Sequence, residues 1–111
     1  MLRHCGSEED YRRAIGESSD GPVFLLKHSL TCGISTGARK EFQDFAAAEK
    51  SVPCWEMAVQ ESRDLSRLIA DETGVRHESP QVLLYRDGRV AWSASHWEIT
   101  GENLRSALAS S

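Results

Sequence analysis

Apolar residues fall in short blocks separated by polar or glycine-bearing breaks, and the period within each block names its element. Ser7 with Asp10 reads as a helix start, and Tyr11, Ala14 and Ile15 line one face of a short helix that ends in the small-polar stretch 16–21. A strand runs from Val23 to about Lys27 on the continuous apolar run Val23-Phe24-Leu25-Leu26, as expected for a central strand covered on both faces. Ile34, Ala38, Phe42, Phe45 and Ala46 then recur at helical spacing, with Arg39, Lys40, Gln43 and Asp44 on the outer face, in an amphipathic run from Ala38 to Lys50. Pro53 opens an alternating strand, Cys54 to Val59, whose Glu56 suggests a place near a sheet edge. Ser62 caps a third helix through Leu65, Leu68 and Ile69, and Gly74 stops it in a left-handed conformation. Two strand-like runs, Gln81–Tyr85 and Arg89–Trp92, flank Asp87-Gly88, a strong hairpin signal. Thr100 caps a last helix through Leu104, Ala107 and Leu108.

The order α, β, α, β, α, β, β, α predicts an α/β domain with a four-stranded mixed sheet. Its first two strands are parallel through a right-handed crossover helix, and its last two form a hairpin. A chain of 111 residues reads as one domain, 1–111, able to bury about 65% of its unfolded surface without staples. The net charge of −4 argues against nucleic acid as a partner. No apolar stretch approaches the roughly 20 residues of a membrane span. The opening Met1-Leu2-Arg3-His4-Cys5-Gly6 lacks the apolar core of a signal peptide, so a cytoplasmic, reducing compartment is the expectation. Cys5, Cys32 and Cys54 lie far apart, form no C-x-x-C pair and show no zinc-ligand spacing. Chemistry by one cysteine acting alone is the reading that remains.

Cys32 is the candidate. A strand that turns into a helix at Thr31-Cys32-Gly33-Ile34-Ser35 puts its thiol at a helix N-terminus. A free thiol titrates near ~8.5. The helix terminus supplies ~0.3–1 kcal/mol, up to ~2, so the dipole alone lowers the pKa by at most ~1.5 units. Hydrogen bonds from the backbone of Ile34 and Ser35 and from the Ser35 hydroxyl could add to this. The alternative is a buried, inert cysteine. His28, as an imidazolium, and Lys27 could favour the thiolate, or could merely end the strand. Cys54 is expected to be structural, and Cys5 to sit on a mobile end with adventitious reactivity.

The order of elements around this cysteine resembles the thioredoxin fold, with an extra N-terminal helix and helices on both faces of the sheet. Lys27-His28-Ser29, Thr31-Cys32, then His77-Glu78-Ser79-Pro80-Gln81, then Ser95-His96-Trp97 together resemble the monothiol bacilliredoxins of the bacillithiol system, over about 23–107. The resemblance implies a thiol–disulfide oxidoreductase that removes bacillithiol from mixed disulfides on cytoplasmic proteins. Cys32 is then the nucleophile, bacillithiol the co-substrate and S-bacillithiolated proteins the partners. The exchange it implies needs no metal and no bound organic cofactor; neither nucleic acid nor a membrane is an expected partner, and the sequence does not fix the oligomeric state, with a monomer the expectation. Ser35 stands where dithiol relatives carry a second cysteine, so the mixed disulfide at Cys32 must be resolved by another molecule. Gly33 replaces the family's usual proline and loosens the helix start.

In the fold it resembles, the Ser79-Pro80 bond is cis and faces the cysteine. Thr31, Gly33, Ile34, Ser79 and Pro80 are then candidates for contact with the substrate, while His77 and Glu78 either flank the groove or form a plain loop. His96 and Trp97 stand where glutaredoxins carry a glycine pair, and could shape a pocket for the small thiol's carboxylates and sugar. The alternative is a core tryptophan with a surface histidine. Two other functions stay open. Cys32-Gly33-Ile34-Ser35 is one substitution from the motif of monothiol glutaredoxins that carry a [2Fe–2S] cluster between two subunits, and a catalytically silent thioredoxin-like binding module is the third reading.

Overall fold

A computed structural model describes residues 2–30 and 33–110. The chain runs β1 (Leu2–His4), α1 (Glu8–Glu17), β2 (Val23–His28), α2 (Gly33–Ala48), β3 (Cys54–Ala58), α3 (Arg63–Thr73), β4 (Gln81–Arg86), β5 (Arg89–Ser95), a single 3-10 turn (His96–Glu98) and α4 (Gly101–Ala109). The strands make one mixed sheet of five in the order β1-β3-β2-β4-β5. β3 is parallel to both β1 and β2, while β4 is antiparallel to β2 and to β5.

Alternate residues of the central strands feed two cores. Phe24 and Leu26 of β2 and Val82 and Leu84 of β4 pack under α2 and α4, where Phe42, Phe45 and Leu104 close the layer. Val23, Leu25, Leu83 and Tyr85 face the other way, against Tyr11 and Ala14 of α1 and Leu65 and Ile69 of α3. Both faces of β2 and β4 are therefore dry, which is why these strands read as unbroken apolar runs. Phe24 is edge-on to Phe42, Phe45 and Trp92, with ring centroids 6.5, 5.2 and 6.5 Å away. On the opposite face the Tyr11 and Tyr85 hydroxyls meet at 2.7 Å, so neither buried phenol lacks a partner.

Most local signals operate as their chemistry requires. The Ser7 hydroxyl accepts from Asp10 N at 3.1 Å, and Thr100 Oγ1 accepts from Asn103 N at 3.1 Å. Gly74 ends α3 at φ 73°. The hairpin turns through Asp87 at φ 52° and Gly88 at φ 77°, the left-handed pair that a two-residue loop demands. Ser62 is the N-cap of α3, but its side chain makes no capping hydrogen bond.

Three expectations are corrected. The sheet has five strands, because Leu2–His4 pairs with β3 as β1. Three residues of mixed polarity carry no strand period. They are held by what they reach: Arg3 lies over the Trp55 ring at 4.2 Å and pairs with Glu17, which also accepts from Trp55 Nε1. With β1 outside it, β3 is an interior strand, and Glu56 is a buried carboxylate rather than an edge residue. Cys5 is not on a mobile end. It is fully buried, and its backbone N–H donates to Glu56 O at 2.8 Å.

Phe24→Ala empties the meeting point of three aromatic rings. We expect a loss of about 3–5 kcal/mol in unfolding free energy by urea titration, with an unchanged far-ultraviolet circular dichroism spectrum.

Candidate active site

The directions of the strands decide which loops meet. β2, β3 and β5 run the same way and β4 runs against them, so the C-terminal ends of the first three share one end of the sheet with the start of β4. Ser29 and Leu30, the loop 59–62, the segment His77–Pro80 and the turn His96–Glu98 therefore gather at that end. Thr31 and Cys32 lie outside the described residues. Their neighbours are placed: α2 begins at Gly33, with Gly33 exposed, Ile34 half-buried and Ser35 buried.

Two side chains hold the loop that leads to Cys32. Ser29 N donates to Ser35 Oγ at 3.0 Å, tying the end of β2 to the first turn of α2. Gln60, in the loop after β3, donates from Nε2 to Ser29 Oγ at 2.6 Å and accepts from Leu30 N at 3.1 Å. Ser35 thus has a structural function whatever its chemical one. Leu30 and Trp97 are large apolar side chains left exposed, at 55% and 77%.

Behind this loop lies a buried polar chain. Lys27 is wholly inaccessible, and its Nζ donates to Gln81 Oε1 at 2.9 Å across the β2–β4 pair. Gln81 Nε2 donates in turn to Arg76 O at 2.9 Å. Burial pushes the Lys27 amine down to about 8, with the Glu78 carboxylate opposing the shift. The Ser79-Pro80 peptide is cis, as the resemblance implied. Pro80 O accepts from His96 N at 3.0 Å, and the Ser95 hydroxyl donates to Glu78. The cis-proline segment and the His96–Trp97 turn are thus one hydrogen-bonded unit. Ser79 Oγ is buried within it with no partner among the described residues.

The His and Trp assignments change in detail. β5 ends at Ser95, three residues beyond the run read from the sequence, and His96, at φ 53°, begins a 3-10 turn. Trp97 is exposed, which removes the core-tryptophan alternative. His28 is buried on the α2 face. Burial, and then the Arg39 guanidinium, lower its pKa, so it is neutral at neutral pH and does not act as an imidazolium. Arg39 reaches down from α2 to the buried Glu56 with contacts of 2.6 and 3.1 Å. His77 is exposed, and its pKa too is lowered, by partial burial and by Lys27. Cys5 and Cys54 are both fully buried, and desolvation pushes each thiol up to about 12.

Residues 4–104 match the protein family described as monothiol bacilliredoxin BrxC. The chain belongs to that family. A solved thioredoxin-fold protein with a proposed oxidoreductase role is 36% identical, covering 96% of this chain and 92% of its own, at a TM-score of 0.87. Thioredoxin from Fasciola hepatica superimposes at a TM-score of 0.78 with 16% identity, over 96% of each chain. That from Trypanosoma brucei brucei does so at 0.77 with 16% identity, over 98% of this chain and 88% of its own. These two show the thioredoxin-like fold alone. For a bacilliredoxin family member with this fold, an oxidoreductase role follows in general terms.

Three contributors escaped the reading of the sequence: Gln60, Gln81 and the Arg39–Glu56 pair. Gln81 left a trace, as a polar residue at the head of an apolar strand. Its meaning needed the register that sets it opposite Lys27. Gln60 sits in a loop with no periodicity, and nothing local marks it.

Two measurements check this description. Alkylation of the folded protein near neutral pH should leave Cys5 and Cys54 unmodified, so intact mass shows at most one adduct, and none in Cys32→Ser. Lys27 binds its proton less tightly when folded (about 8) than when unfolded (about 10.5), so between these pH values this residue's own contribution makes stability rise with pH, while the Cys5 and Cys54 thiols, pushed up on folding, act in the opposite direction. Lys27→Met should lack that contribution when its urea midpoints are compared with those of the parent across the same window.

Proposed function

We propose that the protein is a monothiol thiol–disulfide oxidoreductase that removes bacillithiol from mixed disulfides on other proteins, with Cys32 as nucleophile. The observation that carries this reading is the lack of a second reactive thiol among the described residues. Ser35 fills the position of a resolving cysteine, and Cys5 and Cys54 are buried with thiols held protonated. A cysteine without an internal partner can turn over only with a thiol from outside. Membership of the bacilliredoxin family favours bacillithiol as that thiol.

The Cys32 thiolate attacks the small-thiol sulfur of the mixed disulfide. A new S–S bond forms at Cys32, the old one breaks, and the target protein's sulfur leaves as a thiolate that takes up a proton. A second bacillithiol thiolate attacks the same small-thiol sulfur, releasing Cys32 as thiolate and the product as bacillithiol disulfide. The reaction is pure thiol–disulfide exchange, in which the second bacillithiol is the reductant and no other oxidant or reductant is needed.

The remaining site residues receive positions in this scheme. Thr31, Gly33 and Ile34 flank the nucleophile in sequence, and the Gly33 and Ile34 amides open α2, where they suit a developing thiolate. Ser79, beside the cis bond, offers backbone to an extended substrate. Lys27 supplies positive charge at the same end of the sheet, while neutral His28 does not. The exposed indole of Trp97, beside half-buried His96, offers an apolar surface to the small thiol.

Mass spectrometry tests the scheme. After one turnover on a bacillithiolated peptide, the protein should carry one bacillithiol adduct on Cys32 that persists until free bacillithiol is added. De-thiolation by Cys32→Ser at the parent's rate would sink the mechanism. Formation of a glutathione adduct but no bacillithiol adduct would sink the choice of thiol.

A further inference from the structure

A cavity of about 420 Å³ opens between α3 and the segment that leads into the cis-proline. It is lined by Val59, Gln60, Arg63, Ser66, Arg67, Ala70 and His77. Three features distinguish it. It has no acidic lining residue, although the chain carries a net charge of −4. Arg63 and Arg67 stand one turn apart on the first two turns of α3, and neither forms an ion pair with a carboxylate among the described residues. This holds even though Glu8, Glu61 and Asp64 share a neighbouring hollow with Arg63.

The third feature is Ser66. It is 95% buried, at 5% exposure, and its hydroxyl has no hydrogen-bond partner among the described residues. A buried hydroxyl left unpaired carries its full desolvation cost. The cavity wall is where a partner can enter. Two unpaired guanidiniums and a hydroxyl donor around one hollow are the equipment of a carboxylate site, because guanidinium N–H groups match carboxylate oxygens in pairs. Val59 and Ala70 add apolar surface for a carbon skeleton.

The cavity's position ties it to the candidate active site. Gln60, on its rim, is the residue that holds Ser29 and Leu30 in front of Cys32 in the chain. His77, on the opposite rim, lies three residues before Pro80. A ligand in the cavity therefore sits between the two segments that border the proposed exchange site.

We propose that this cavity is the subsite for the carboxylate-bearing arm of the small thiol, held by Arg63, Arg67 and the Ser66 hydroxyl. This rests on the thiol-exchange reading above. It also makes selectivity a matter of charge: acidic small thiols are favoured over neutral ones of similar reactivity, and the discrimination resides in α3.

Two experiments on the full chain decide it. The first titrates malate, a free dicarboxylate, into the protein and follows backbone amide shifts by NMR. Saturable shifts are expected at Arg63, Ser66, Arg67 and His77, and are lost in Arg63→Gln/Arg67→Gln. No saturable shift there, or shifts unchanged in the variant, overturns the subsite. The second compares exchange on peptide mixed disulfides of bacillithiol, glutathione and 2-mercaptoethanol. The double variant should raise KM roughly tenfold for the two acidic thiols and leave the neutral one unchanged, while Arg63→Lys/Arg67→Lys recovers part of the loss. Equal effects on all three substrates overturn it. Exchange with none of them by the parent protein would refute the proposed activity, whereas the malate titration still decides the cavity.

Discussion

The hydrogen bond from Lys27 to Gln81 joins the ends of two neighbouring strands, and the chemistry-bearing end of the sheet depends on it. An amine without access to water is costly, and the cost falls only when it has a partner. Gln81 is that partner. By spending its other end on Arg76 O, it also fixes the segment that enters the cis-proline. Pro80 O then takes His96 N, and Glu78 takes the Ser95 hydroxyl. One buried charge thus holds three segments in order: the end of β2, the start of β4 and the turn after β5.

Gln60 acts in a comparable way from the other side. It bonds both Ser29 and Leu30, so the loop that leads to Cys32 is held by an amide from β3's end as well as by Ser35 from α2. Primary amides suit this work because each carries a donor and an acceptor on one planar group. A charged residue in either place would bring a second desolvation cost next to Lys27 or the α2 start.

Burial sorts the three cysteines. Cys5 and Cys54 lie in opposite cores, one under α1 and α3 and the other under α2 and α4, and desolvation holds both as thiols. Neither can exchange with Cys32 without leaving its core. A monothiol reading therefore rests on two independent facts, the serine at position 35 and the dryness of the other two sites. β1 contributes to the second, because its pairing with β3 carries Cys5 into the interior.

The sequence by itself determined the elements that depend on local chemistry. Period-3.6 stripes set α1 to α4, unbroken apolar runs set β2 and β4, and Asp87-Gly88 set the hairpin. These signals act within a few residues and need no knowledge of neighbours. The family motifs around Cys32, Pro80 and His96 were legible as well, and the cis bond at Pro80 followed from the resemblance. What only the tertiary structure decided concerns partners far apart in the chain. β1 exists because Trp55 and Glu17 receive Arg3, not because Leu2-Arg3-His4 has a period. Glu56 is interior because β1 covers it. His28 is neutral because it is buried, with Arg39 lowering its pKa further. Cys5 is inert because it is buried. Each of these is a matter of desolvation or long-range pairing, and both depend on which surfaces meet, which a linear pattern of residues does not contain.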